Sequence, residues 1–478
     1  MLPWKPQFAR WRRLRGVTRR RRIASAAAMA VGLTAVSVAF GPDGTPDGAW
    51  RAASGQTASA LAADVPAAAL TSRDLTRGVD ALQRRLKAQP GDAGGWAALG
   101  AAYVEQARTI GDPTRYPQAE KAFGRSLRLR GGDENDAALA GQAALAAARH
   151  DFTAALRLAD RALEVNPYGE RALSVRVDAL VELGRYREAR KAVELADRRR
   201  PGVPVFTRYA YVLELHGDVK GARRVLLRAL DSAFSAGDKA YVATELGQLS
   251  WSRGDFRRAL GHFDAALRAE PEYVPALEGR GRSRAALGDL KSAVRDLKEA
   301  VRRSPLPGRL AALAELYEAE GRQGAAKEQY ALMNAWTRLA RANGVAAEPE
   351  SALVEAGHGD AAEALTAARD EWSRRHSVHT ADALAWALHA NGRYKEALGY
   401  AKKATAPEPG YQNASLLFHR GMIERALGEH TAARRHLRAA LELNPGFSLT
   451  HARQAKAALG ELAVRSGQSA GSAARGGS

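Results

Sequence analysis

The chain has 478 residues, 46% of them hydrophobic but only 6% aromatic, and a formal net charge of +20. It contains no cysteine, which excludes disulfides, thiolate catalysis, cysteine–zinc sites and a cysteine-linked lipid anchor. The charge is not a nucleic-acid footprint: nine positive residues fall within positions 1–22, the remaining +11 is interspersed with acids, and no groove-reading or base-stacking motif accompanies it.

Residues 1–22 are basic and residues 1–40 hold no acid, while 23–40 (IASAAAMAVGLTAVSVAF) form an uncharged apolar run. At about 1.5 Å per residue in a helix this run reaches roughly 27 Å, enough for a bilayer core. Residues 1–40 are therefore expected to be a signal peptide or signal anchor, with a small-x-small cleavage site at Ser37-Val38-Ala39. This places the chain outside the cytoplasmic membrane, at its outer face or secreted, with membrane contact through 23–40 if the segment is not cleaved. Residues 41–72, rich in Gly, Pro, Ala and Thr, read as a flexible linker.

A helix carrying Leu75, Val79, Leu82 and Leu86 is expected to cap a repeat array. Next comes WAALGAAY, from Trp96 to Tyr103, then Ala119 and Phe123. Alanines in the same setting recur at 155, 189, 222, 259, 293, 326, 364, 397 and 433, in steps of 33 to 38 residues. Each small residue admits a second helix closely, and the Leu, Phe and Tyr positions around it fill the seam. One such helix pair cannot bury its apolar face alone, so the copies must stack. After Tyr330 the helical pattern overruns through Trp336 and Leu339 to Asn343-Gly344. This break divides a first array, 73–343, from a second, 344–465, which ends in a capping helix. Residues 466–478 read as a disordered tail.

The pattern W-x2-L-G-x2-Y…A-x3-F resembles the tetratricopeptide repeat. The resemblance implies an all-α fold, a right-handed α-solenoid of about ten helix pairs. It also implies that the first helix of each pair lines a concave groove through its second, fifth, ninth and twelfth positions. Carried over, these include Tyr211 and Glu214, then Tyr241, Gln248 and Trp251, then Glu278 and Arg282, then Glu315 and Glu318. In the second array they include His379, Asp382, Trp386 and His389, then Phe418, Met422 and Arg425. Aromatic anchors in such a groove suit a bound peptide. The Lys and Asn with which co-chaperones of this kind grip a C-terminal carboxylate are absent from the corresponding positions.

Catalytic motifs are sparse: there is no phosphate-cradling glycine loop and no H-E-x-x-H. No catalytic residue, cofactor or metal ion is assigned. His379 and His389 lie about 15 Å apart along one helix, too far for one ion with bonds of about 2 Å. A half-site of His379 and Asp382 completed by another repeat stays open. The expected function is a non-enzymatic scaffold that binds a peptide or helix of an envelope or secreted protein, with no nucleic acid involved. Two alternatives stand beside it: a metal-handling accessory protein using the His376–His419 region, and a non-catalytic subunit of an enzyme complex.

Overall fold

The structure, a computed structural model, describes residues 72–110, 114–342, 349–406 and 410–475. The expected export segment (1–40), nearly all of the linker and the break at 343–348 lie outside the described residues. So does the apolar run 23–40; among the described residues no helix is long and apolar enough to cross a membrane.

The described residues form an all-α repeat fold. A leading helix, α1 (Ser72–Ala88), precedes seven antiparallel pairs: α2 (Ala93–Ile110) with α3 (Arg115–Leu129), α4 (Asp136–Ala148) with α5 (Phe152–Val165), α6 (Glu170–Glu182) with α7 (Tyr186–Arg199), α8 (Val203–Leu215) with α9 (Val219–Asp231), α10 (Ala236–Ser252) with α11 (Phe256–Ala269), α12 (Val274–Ala286) with α13 (Leu290–Arg303), and α14 (Pro307–Ala319) with α15 (Gln323–Ala342). A second arm comes next: α16 (Pro349–His358) with α17 (Ala361–Trp372), α18 (Val378–Ala390) with α19 (Tyr394–Ala404), α20 (Ala414–Ala426) with α21 (His430–Leu443), and a final helix, α22 (Leu449–Arg475). That helix runs ten residues beyond the expected end at Arg465, into the segment read as a disordered tail.

Packing follows from size. All ten marker alanines are at most 1% exposed, and aromatic wedges fill recesses left by glycine. Phe123, fully buried, sits between Gly100 and Gly141, where an added Cβ would come within 2.6 Å and 2.2 Å of its ring. Phe263 sits likewise between Gly247 and Gly279, with approaches of 2.6 Å and 2.3 Å. Each wedge joins its own repeat to the next, so the core runs continuously along the array.

The turns between paired helices repeat a second device. Glycine at 217, 254 and 288 takes a positive φ, which closes the first helix, and the following Asp caps the second. Asp218 accepts from the Gly221 N–H at 2.8 Å, Asp255 from that of Arg258 at 3.2 Å, and Asp289 from that of Ser292 at 3.1 Å. At the equivalent place His150 holds φ 62° without being glycine. Its ring is buried, stacked on Phe152 at 5.6 Å, with Nδ1 3.4 Å from Glu371 of the second arm.

The two arms close on each other. The overrun of α15 has a structural reason: Trp336 packs against the cluster of Leu82, Leu99, Tyr103 and Ala107 near the start of the array. One apolar cluster then spans both arms, joining Val177 and Val212 of the first to Val378, Ala381 and Leu416 of the second. Two polar contacts across the seam share an offset of 193 residues. In one, Asn444 Nδ2 donates to the Trp251 carbonyl at 2.8 Å. In the other, Arg375 Nε donates to Glu182 at 2.7 Å, while its Nη1 donates to Glu371 at 3.3 Å, all three side chains being about 3% exposed. Beside them the His376 N–H donates to the Glu182 carbonyl at 2.9 Å. Glu315 of α14 accepts from the Thr450 N–H at 3.2 Å, which satisfies the start of α22 from across the seam.

Backbones touch at these crossings. A Cβ on Gly184, φ 71°, would lie 2.5 Å from the His376 carbonyl oxygen, whereas Gly321, φ 77°, faces open space. In chemical denaturation Gly321→Ala should cost about 1–2 kcal/mol for its left-handed backbone, and Gly184→Ala about 1–3 kcal/mol more for the overlap; equal losses would mean that the arms do not touch there. Arg375→Ala removes the buried cation shared by Glu182 and Glu371 and should cost about 3–5 kcal/mol, read in the same titration.

Candidate functional site

Where the arms meet over the middle repeats they leave a cavity of about 290 Å³. The first arm supplies Tyr211 and Glu214 from α8, Glu245, Gln248 and Trp251 from α10, and Arg282 from α12. The second arm roofs it with Leu353 of α16, His379 and Asp382 of α18, Tyr411 and Asn413 ahead of α20, and Phe447 ahead of α22. Helical spacing explains the first wall, since Glu245, Gln248 and Ser252 lie at i, i+3 and i+7 and share one face of α10. The roof exists because α18 and the loop before α20 cross α8 and α10 at the seam.

Polar groups in the cavity are under-partnered. Glu214 accepts one bond, from Ser252 Oγ at 3.2 Å. Glu245 has no hydrogen bond or ion pair among the described residues, and the buried indole N–H of Trp251 has no acceptor. Arg282 stacks on the Trp251 ring at 4.0 Å without pairing with either acid. Tyr211 Oη lies 3.5 Å from His379 Nε2, and His379 meets Tyr411 edge-on at 5.5 Å. Burial raises the carboxyl of Glu214; burial and then the neighbouring Glu214 push that of Glu245 up to about 8. Burial likewise raises both tyrosines.

Of the groove residues expected from the sequence, Tyr211, Glu214, Gln248, Trp251, Arg282, His379 and Asp382 line this one cavity. The others lie elsewhere. Tyr241 is 1% exposed in the core beside Val203 and Phe206, because its place on α10 faces the preceding helix pair. Phe418 is fully buried and stacks on His451 at 4.7 Å. Trp386 lies between His389, at 4.7 Å and 7°, and His419, at 4.3 Å and 28°. Met422 packs against the same cluster and Arg425 pairs with Glu461. Phe418 and Tyr241 are therefore core residues, not groove anchors. Three cavity residues that matter for its chemistry and shape had no place in the sequence pattern. Glu245 falls one place after a transferred position, and its signal is a charged residue on the helix face it shares with Gln248 and Ser252. Leu353 and Tyr411 come from another arm and carry no local signal.

The histidine region is held by stacking and by Asp382, while His419 Nε2 is buried with no hydrogen-bond partner among the described residues. Asp382, 2% exposed, accepts from His419 Nδ1 at 2.8 Å, which withdraws it from a half-site with His379. Burial, then the nearby His419, lowers His389 to about 4 and His451 to about 3. Among the described residues no group of three potential ligands has metal-holding geometry. Other groove charges stitch repeats together: Arg208 to Asp178 at 2.9 Å, and Arg309 to Glu278 at 3.1 Å.

Comparison with known proteins identifies the repeat. Residues 141–204, 244–307 and 383–447 match the family model described as tetratricopeptide repeat, and the chain carries these repeats in both arms. No curated protein matches the sequence. Among solved structures, the chain is similar to the Cut9–Hcn1 hetero-tetramer of the APC/C at 14% identity and TM-score 0.40, over 82% of this chain and 83% of that one. It is similar to a tetratricopeptide repeat protein from Parabacteroides merdae at 16% identity and TM-score 0.38, over 58% and 99%. It is also similar to PilW, a type IV pilus biogenesis factor, at 20% identity and TM-score 0.36, over 42% and 92%.

The raised Glu245 carboxyl has a consequence for stability. It keeps its proton up to about pH 8 in the folded chain and to about 4.5 when unfolded. Its contribution is complete below about 4.5, drains as pH rises, and is gone above about 8. Thermal melts from about pH 5 to 8.5 should show the parent losing stability relative to Glu245→Gln as pH increases. Parallel curves would show that the carboxyl titrates normally.

Proposed function

We propose that the chain is a non-enzymatic interaction scaffold that works outside the cytoplasmic membrane and holds a segment of another envelope protein where its two arms meet. Tetratricopeptide repeats generally mediate protein–protein interaction. The observation that carries the reading is convergence: seven groove positions from four helices, spread over both arms, open into one cavity with unpartnered polar atoms. At about 290 Å³ the space lies at the lower limit of roughly 300–1,000 Å³ for ligand pockets. It therefore accepts a side chain or a short turn of chain, and the wide open groove needed for a whole helix is roofed by the second arm. The basic and apolar residues 1–40 support the location.

A photo-reactive residue placed at Gln248 of the full chain, in its own cells, tests this. A discrete protein adduct at Gln248, reduced at least about fivefold by Trp251→Ala in a chain that still folds, is the expected outcome. The same probe at Tyr168, 63% exposed on the outside of the array, should give none. Adducts at Tyr168 alone would move the contact to the outer surface.

A further inference from the structure

The cavity has a more specific chemistry than a general peptide groove. Its two acids, Glu214 and Glu245, face a common space; neither forms an ion pair among the described residues, although the chain is rich in arginine. Three other acids on first helices of the repeats are answered by arginine: Asp178 by Arg208, Glu278 by Arg309, Glu182 by Arg375. Removing an ionised carboxylate from water without a counter-charge is expensive, and such groups in folded proteins are paired, protonated or used for binding. Around the two acids stand the rings of Tyr211, Trp251 and Tyr411, whose faces attract a cation. The cavity thus combines hydrogen-bond acceptors, π-faces and a narrow apolar wall that includes Leu353 and Leu249.

We propose that this cavity binds an alkylammonium group, its NH3+ held between Glu214 and Glu245 and its methylene stem lying along Trp251, Tyr211 and Tyr411. The group comes either from a lysine side chain of the bound protein or from a free aliphatic amine. The first source deepens the scaffold reading and rests on it, whereas the second does not. An ammonium fits better than a guanidinium or a quaternary head. It is compact, it donates three hydrogen bonds against two carboxylates and the Tyr hydroxyls, and the cavity is small.

Binding carries a proton signature. At neutral pH the Glu245 carboxyl holds a proton, and an arriving ammonium displaces it to the buffer; the charge on the cavity is then balanced by the ligand. The other titratable and charged groups facing this space are Tyr211 and Glu214 of α8, Arg282 of α12, His379 and Asp382 of α18, and Tyr411 before α20. Asp382 is already committed to His419, and Arg282 to the Trp251 ring. Arg253, at the end of α10, lowers Glu214 and Tyr411 slightly from a distance, while its Nη1 donates to the Gln412 carbonyl at 3.3 Å.

Titration calorimetry on the full chain, with cadaverine and with Nα-acetyl-lysine methylamide as separate probes, tests the assignment. Saturable binding of either probe is expected, with up to about one proton released per ligand near pH 7. The release is read from the difference in heat between phosphate and HEPES buffers, neither of which carries a primary amine. Glu245→Gln should weaken binding at least about tenfold and abolish proton release, and Glu214→Gln should weaken it at least about tenfold, each in a chain whose melting profile stays cooperative. Preference for the lysine derivative points to a protein source, and preference for cadaverine to a free amine. Binding of glutarate in place of both amines would make Arg282 and the Trp251 N–H the recognising groups and overturn the proposal. No binding of either amine would overturn it as well, and a Gln248 adduct obtained alongside would leave the scaffold reading standing.

Discussion

Arg375 sits with its guanidinium between Glu182 of the first arm and Glu371 of the second, with all three side chains withdrawn from solvent. A buried cation is tolerable only with matched anions, and here the anions come from opposite sides of a seam. The contact is specific because the backbones it joins touch: Gly184 packs on the His376 carbonyl and Gly217 on that of Gly410. The apolar cluster shared by α6, α8, α18 and α20 supplies the adhesive area, and the ion network sets the register. Without this seam the concave surface of the middle repeats is an open trough; with it, a cavity.

The distribution of charge inside the superhelix obeys the same logic. Asp178 and Glu278, on first helices of the repeats, are each matched by an arginine about one repeat further on, so their electrostatics double as stitching between neighbours. Glu214 and Glu245 have no ion-pair partner among the described residues, and both line the cavity beneath the second arm. Burial and the neighbouring Glu214 push the Glu245 carboxyl up to about 8. His389, His419 and His451 of the second arm took the other course. They stack with Trp386 and Phe418, bind Asp382, and so serve the packing of α18, α20 and α22.

His150 and Trp336 illustrate how departures from the repeat report on closure. The left-handed turn position that is glycine in most of the repeats is histidine here, and the conformational cost is offset by a buried ring reaching Glu371. The prolonged α15 carries Trp336 back to the first repeats. Both features look like irregularities along the chain and become contacts once the array has curved.

Repeat period, helix pairing and the buried alanine and glycine positions were legible in the sequence because they arise within about 34 residues, where 3.6-residue periodicity and side-chain size decide the outcome. The ten alanines from 119 to 433 show this, as does Phe123 against Gly100. The ends were less legible, as α22 shows by continuing to Arg475. Which groove residues meet was not legible at all. Trp251 and His389 occupy equivalent places in the repeat, yet one lines the cavity and the other is stacked on Trp386. Tyr411 and Leu353 reach the cavity of Glu245 only because the arms meet at contacts as far as 193 residues apart in the chain. That offset is the sum of small rotations between successive repeats, and no local pattern encodes the sum. Sequence determined the kind of repeat and its core; the accumulated curvature, available only in the tertiary structure, decided where the arms close and which polar groups they leave facing each other.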